Sequence, residues 1–155
     1  MKTDIEIIEF SDEYSKYFTA LNRAWLQKYF VMEPIDHEIL SEPKKYIIDQ
    51  GGLVFFAKVG DEIAGTFALI KVNETIYELA KMAVDEDFQG KKIGHKMLKF
   101  CVEEGKRLKA EKIILFSNKR LEPAIHLYKK FGFMEVPLGS SEYKRADIKM
   151  EVNIK

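Results

Sequence analysis

The stretch Glu78-Leu79-Ala80-Lys81-Met82-Ala83-Val84-Asp85-Glu86-Asp87-Phe88-Gln89-Gly90-Lys91-Lys92-Ile93-Gly94-His95 changes character half-way along. Its first seven residues read as the end of a strand. Beyond the loop, Ile93, Met97, Leu98, Cys101, Val102 and Leu108 recur at helical spacing. The turn between them therefore delivers the chain to a helix N-terminus. The first N–H groups of a helix have no internal partner, and the positive end of the helix dipole lies behind them. Gly90 and Gly94 permit close backbone approach, and Lys91 and Lys92 add two full charges. Gln89 to His95 is thus a workable pyrophosphate cradle. The competing reading is a plain strand-to-helix turn with solvated lysines. Neither G-x-x-x-x-G-K-[ST] nor G-x-G-x-x-G is present, which removes the P-loop and the dinucleotide fingerprint.

Downstream, Lys112 to Phe116 is a short β-rich run, and Pro123 opens a helix carrying Ala124, Leu127, Tyr128 and Phe131 before Gly132 stops it. A strand over 75–84, a helix over 95–109 and a strand over 112–117 make a β-α-β unit with a local parallel pair. Upstream, Leu53–Val59, Ile63–Val72 and Thr75–Val84 are joined by turns at Gly60-Asp61 and Asn73-Glu74. Such turns are too short for crossovers, so these three strands form an antiparallel meander. Ile5 to Phe10 reads as a further short strand. Ser11 and Asp12 then cap a first amphipathic helix through Tyr14, Tyr17, Phe18, Leu21 and Trp25. Pro34 marks a break, Asp36 caps a helical turn to Leu40, and Pro43 opens another through Asp49. The expected fold is α+β (mixed α/β): a single central, largely antiparallel sheet with a parallel, splayed pair and flanking helices. No repeat or linker divides the chain, so one domain is expected over 1–155.

The 155 residues hold 25 Lys and Arg against 25 Asp and Glu, and this absence of basic surplus argues against nucleic acid as partner. The sole cysteine, Cys101, excludes an intrachain disulfide and reads as a small buried hydrophobe. Met1 to Glu6 lacks the apolar core of a signal peptide, and no apolar run is long enough to span a bilayer. The expected compartment is the cytoplasm. His37, beside Asp36 and Glu38, has no metal-ligand spacing around it, so no metal is expected.

Two segments together carry a family resemblance. Glu78 to Val84 followed by Gln89 to Gly94 resembles motif A of the GCN5-related N-acetyltransferases (GNAT), whose loop reads Gln/Arg-x-x-Gly-x-Gly/Ala. Asn118, then Ala124-Ile125-His126-Leu127-Tyr128-Lys129-Lys130-Phe131-Gly132-Phe133, looks like motif B of the same superfamily. The departure is Lys92, which stands where the pattern has its first glycine. If that position requires positive φ, a lysine there costs on the order of 1 kcal/mol.

The resemblance implies acetyl-CoA as co-substrate and transfer of its acetyl group to a primary amine by direct attack. The acceptor would be a small molecule or a peptide, and a homodimer is compatible with the family. It implies that Met82, Ala83 and Val84 pair with the pantetheine arm and that Gln89, Gly90, Lys91, Lys92, Ile93, Gly94 and His95 hold the pyrophosphate. His95 would act through its amide rather than its ring. Asn118 would bond the cofactor or a loop carbonyl, or cap a helix. Tyr128 becomes the general acid for the departing thiolate, since a phenol is protonated at neutral pH. Glu78 becomes the candidate general base, and simple alternation puts it on the face of Ala80 and Met82, against Leu79 and Lys81, unless the local bulge that this strand often carries in the family shifts the phase. Trp25, Tyr29 and Glu33, with Phe30 and Tyr143, are the acceptor-side candidates, an aromatic and carboxylate lining suited to a cationic amine. The alternative is a non-catalytic acyl-CoA-binding sensor or regulatory module. Glu78 and Tyr128 favour the enzyme, because a binder needs neither.

Overall fold

In the computed structural model, residues 4–141 and 143–154 are described. The extreme ends of the expected 1–155 domain, and Met1–Thr3 of the leader reading, lie outside the described residues. The strands are β1 (Ile5–Glu9), β2 (Leu53–Val59), β3 (Glu62–Lys71), β4 (Ile76–Val84), β5 (Lys112–Ser117), β6 (Met134–Val136) and β7 (Ile148–Asn153). The helices are α1 (Ser15–Tyr29), α2 (Pro34–Ser41), α3 (Ile93–Arg107) and α4 (Glu122–Lys130). All seven strands join one sheet in the order β1-β2-β3-β4-β5-β7-β6. Every pairing is antiparallel except β4 with β5, which is parallel. The meander and the parallel pair are those the turn lengths predict.

Alternation along the strands feeds two cores, one on each face of the sheet. Phe55, Phe67, Leu69 and Leu79 pack with Met97, Leu98 and Cys101 of α3. Val54, Phe56 and Ala68 point the other way and pack with Phe18 and Leu26 of α1 and Ile39 and Leu40 of α2. Each such side chain taken out of water stabilises the fold by about 1.5–3 kcal/mol.

The strict alternation expected of β4 fails at one place. Ala68 faces Ala80 and Thr66 faces Ala83, so Phe67 alone spans Lys81 and Met82. This is a β-bulge, and Lys81 adopts φ 56° within it. Before the bulge, Tyr77 and Leu79 face α3; after it, Met82 and Val84 do. Lys81 therefore reaches Asp36 of α2 on the α1/α2 side, and Met82 leaves that side. The expected grouping of Glu78 with Met82 against Lys81 is corrected accordingly. An extra residue resets a period of two.

Four further expectations change at helix starts. Ser11 precedes a 3-10 turn, Asp12–Tyr14, with no side-chain cap bond, and α1 begins only at Ser15. Pro34 is not a break but the first residue of α2, where its missing N–H costs nothing. Asp36 is not the cap: Glu33 is, and the two form a capping box in which Asp36 accepts from the Glu33 N–H at 2.8 Å. The long helix starts at Ile93, two residues before His95. Strands β6 and β7 complete the sheet: β6 is only three residues long, whereas β7 alternates apolar and polar strictly from Ile148 to Asn153, a strand signal the sequence does carry.

Candidate active site

Strands β4 and β5 pair only through Ile76–Glu78 with Lys112–Ile114. Beyond that point they part, while β5 stays paired with β7 to Ser117 and β4 with β3 to Val84. The facing edges after Glu78 and Ile114 therefore lack strand partners, and buried backbone groups demand partners. A cavity of about 100 Å³ occupies the opening, and Trp25, Glu78, Met82, Asn118, Tyr128 and Arg145 are among its walls. An amide-bearing chain fits this donor and acceptor set as an added strand would.

Tyr128 comes from the last turn of α4, its ring 6.0 Å from that of Phe133. Burial, then the neighbouring Cys101, pushes its phenol up to about 12, so it is a proton donor at neutral pH. The Cys101 thiol is fully buried and pushed well above its usual range, which leaves it inert. Asn118 donates to the carbonyl of Arg145 at 2.8 Å and accepts from the Arg120 N–H at 3.0 Å. It thus bonds a loop carbonyl, and the α4 cap position is Leu121 instead.

The loop from β4 to α3 lies outside this cavity. Asp85 accepts from the Asp87 N–H, a one-turn 3-10 helix follows over Glu86–Phe88, and Gly90 takes φ 81°. Lys92 adopts φ 62° and ψ 28°, the left-handed conformation that the sequence pattern reserves for glycine. Its carbonyl accepts from the Lys96 N–H, leaving the amides of Ile93, Gly94 and His95 without helical acceptors. A Cβ on Gly90 would meet nothing within 4 Å, and one on Gly94 only Leu127 at 3.5 Å. Open space, three free amides and the lysines make a donor set that suits a pyrophosphate. The His95 ring stacks edge-on to Phe131 at 4.9 Å, and desolvation followed by Lys130, Lys92 and Lys99 lowers its pKa. A neutral ring among cations adds no positive charge, so the amide is what His95 offers an anion.

On the acceptor side, Trp25 lines the inner cavity and also a larger cleft of about 600 Å³ between α1 and the β4–α3 loop. Tyr29 lines the outer cleft and not the inner cavity, with Asp61, Glu62, Asp85 and Asp87 around it, and with Phe30 and Glu33 it lines a further shallow opening of about 650 Å³. Glu33 faces neither the inner cavity nor the outer cleft. Its carboxylate accepts from the Lys144 N–H at 2.9 Å and from Arg145, so it pins the loop before β7.

The sequence profile of the Acetyltransferase (GNAT) family matches residues 9–133. The chain belongs to this family. The uncharacterized N-acetyltransferase YvbK of Bacillus subtilis is 32% identical over 104 residues, covering 65% of this chain and 67% of YvbK. The spermidine N(1)-acetyltransferase of Escherichia coli K12 is 29% identical over 117 residues, covering 72% of this chain and 62% of that enzyme. The match thus spans less than two thirds of the second relative's length. A GNAT-family acetyltransferase from Staphylococcus aureus Mu50 shares the fold with a TM-score of 0.86 at 22% identity, over 98% of this chain and 100% of that one.

Three charged residues at or just behind the cavity, Asp36, Lys81 and Arg145, were not among the site residues expected from sequence. Asp36, with no exposed surface, accepts from Lys81 Nζ at 2.8 Å and from both terminal nitrogens of Arg145 at 2.7 and 2.9 Å. Burial opposes its ionisation, yet these hydrogen bonds hold its carboxyl well below the usual carboxylate range. Burial also lowers the Lys81 pKa, with Asp36 opposing. Arg145 stays charged, since its bonds to Asp36 outweigh burial. The partners lie 45 and 109 residues apart, so no local spacing could announce them. The faint signal was a lysine in the middle of a largely apolar strand. Among the described residues, no helix is long and apolar enough to cross a membrane.

Proposed function

We propose that this GNAT acetyltransferase moves the acetyl group of acetyl-CoA to a primary amine of a small cationic acceptor. The observation that carries this reading is the cavity in the β4/β5 opening, whose walls include Glu78 from β4 and Tyr128 from α4. Glu78 takes a proton from the acceptor ammonium. The freed amine attacks the thioester carbonyl, a C–N bond forms and the C–S bond breaks. Tyr128 gives its phenolic proton to the departing sulfur; the second proton of the attacking nitrogen, shed as the amide forms, returns to the Tyr128 phenolate through water, and Glu78 releases its proton to solvent. The unpaired edge at Met82–Val84 aligns the pantetheine arm, and the loop 89–95 holds its pyrophosphate.

Two facts support a cationic acceptor of the polyamine kind. One matched relative is a spermidine N(1)-acetyltransferase. The cleft that shares Trp25 with the inner cavity is lined by Asp61, Glu62, Asp85, Glu86 and Asp87, with Lys28 pairing Glu86 at 2.7 Å. The test is free-thiol release from acetyl-CoA in the presence of spermidine, an amino acid, a peptide N-terminus and an aminoglycoside. Spermidine is expected to give the largest kcat/KM. Acetyl-CoA binding without thiol release for any amine would move the reading to a sensor, and absence of coenzyme A binding in calorimetry would end it.

A further inference from the structure

Three non-glycine residues among those described have positive φ, and all are lysines: Lys81, Lys92 and Lys109. Lys109 sits exposed just past the end of α3, where left-handed residues are common, and Lys92 sits exposed in the turn that leads into α3. Lys81 differs on both counts. It lies in mid-strand, and only 4% of its side chain is exposed. A left-handed L-residue in a strand is strained and persists only where its surroundings over-determine it. A long cationic side chain ordinarily runs its head out to water. At Lys81 the head turns inward to Asp36, 2.8 Å away, and lies 4.8 Å from the centre of the Tyr143 ring.

Asp36 is itself immobilised. It is the third residue of α2, it accepts from the Glu33 N–H, and Arg145 grips both of its oxygens. Arg145 and Lys144 are in turn fixed by the Glu33 carboxylate. The bulge on β4 is thus tied through one buried ammonium to the start of α2 and to the loop before β7. The loop before β7 supplies walls of the cavity, Tyr143 and Arg145 among them, and the start of α2 stands behind it. The bulge also decides which way the backbone of Met82 and Ala83 presents itself to the β4/β5 opening, since it shifts the phase of every residue after it.

We infer that Lys81 is a positioning residue: its ion pair with Asp36 holds the β4 bulge in its left-handed turn and thereby sets the thioester strand against the acceptor wall. The inference rests on the acetyltransferase reading above for its effect on turnover, but not for its effect on the strand. Lys81 does not exchange a proton in this scheme. It acts through the backbone of the residues that follow it. Removing the lysine leaves Asp36 still bonded to Arg145, so the fold survives the change that tests the clamp.

The experiment compares wild type, Lys81→Met and Lys81→Arg. Backbone amide exchange is followed by NMR over Ala80–Val84 and, as an internal reference, over Leu53–Val59. In K81M the first segment is expected to exchange about 10-fold faster or more while the second is unchanged. For turnover with the best amine, kcat of K81M should fall about 10-fold or more, with the KM for acetyl-CoA within about 3-fold of wild type. K81R, which keeps the charge and length, should recover most of both losses. Unchanged exchange over Ala80–Val84 overturns the inference, as does equal acceleration of both segments or unchanged kcat in a protein whose β4 has loosened. If wild type released no thiol from any amine, the acetyltransferase reading would fail separately, and the exchange comparison would still decide whether the clamp exists.

Discussion

On one side of the β4/β5 opening stands the loop of residues 85–95 with the start of α3; on the other stands the group of Glu33, Asp36, Lys81 and Arg145. The loop is contiguous. Its Asp85 cap, its left-handed Lys92 and the free amides of α3 are all made by neighbours in sequence. The ionic group joins residues as far apart as Glu33 and Arg145, 112 positions along the chain. The loop is exposed and open, whereas the group closes around the buried Asp36–Lys81 pair, with Glu33 and Arg145 partly exposed at its rim. A local site of this kind tolerates a wrong residue at a modest cost, because nothing else leans on it. A buried charge network does not, because each charge is compensated only by the others.

The contrast predicts a graded series of effects. Asp36→Asn should be the most damaging, since it leaves Lys81 and Arg145 facing each other without their shared carboxylate. A loss of about 3–5 kcal/mol in urea-unfolding stability is expected. A loss under about 1 kcal/mol would show the network to be less closed than its burial implies.

Tyr128→Phe probes the cavity between the two regions. The hydroxyl is lost and the ring packing kept, so kcat should fall about 100-fold, near 2.7 kcal/mol, while calorimetric affinity for coenzyme A is unchanged. Wild-type turnover in the variant would remove the acid role. Because the phenol is raised to about 12, its ionisation should not limit activity below pH 10. The same raised value adds stability that is full below the ordinary tyrosine pKa of 10.0 and is lost as pH climbs from there toward 12.

Acid should separate the regions further. The Asp36 carboxyl titrates below its ordinary value of 3.8, so its contribution is full above that value and drains as pH falls below it. Thermal unfolding followed between pH 5 and pH 2.5 should show a steeper loss in wild type than in D36N. Parallel curves would mean that the carboxylate carries no linked stability.

The smallest expected effect lies in the loop. Lys92→Gly relieves a left-handed lysine and should raise stability by up to about 1 kcal/mol, partly offset by the entropy glycine brings to the unfolded chain. A destabilised variant would mean that the Lys92 side chain, not its backbone, matters to the fold.

How much was legible follows the same division. The meander was readable because Gly60-Asp61 and Asn73-Glu74 leave no room for a crossover, and the parallel pair because α3 separates β4 from β5. Motif A was readable because its glycines, lysines and helix start are adjacent. The phase of β4 was not, since one extra residue at Lys81 reverses an alternation that composition alone extends unbroken. Glu33 lines an opening with Tyr29 and Phe30, but the bonds its carboxylate accepts from the N–H groups of Lys144 and Arg145, 111 and 112 positions away, could not be read from local spacing. Capping chemistry was half legible: Pro34 and Asp36 marked a helix start, and only the geometry told the third residue from the cap.

By itself the sequence determined the sheet-and-helix order, the anion-binding turn and the family, because each is written in short-range spacing: alternation, helical stripes and glycines at a helix start. The tertiary structure alone decided which charges meet under the sheet and where β4 bulges. Those depend on bringing Asp36, Lys81 and Arg145 together out of water. A buried ion pair is favourable only when all of its partners arrive, whatever their distance along the chain.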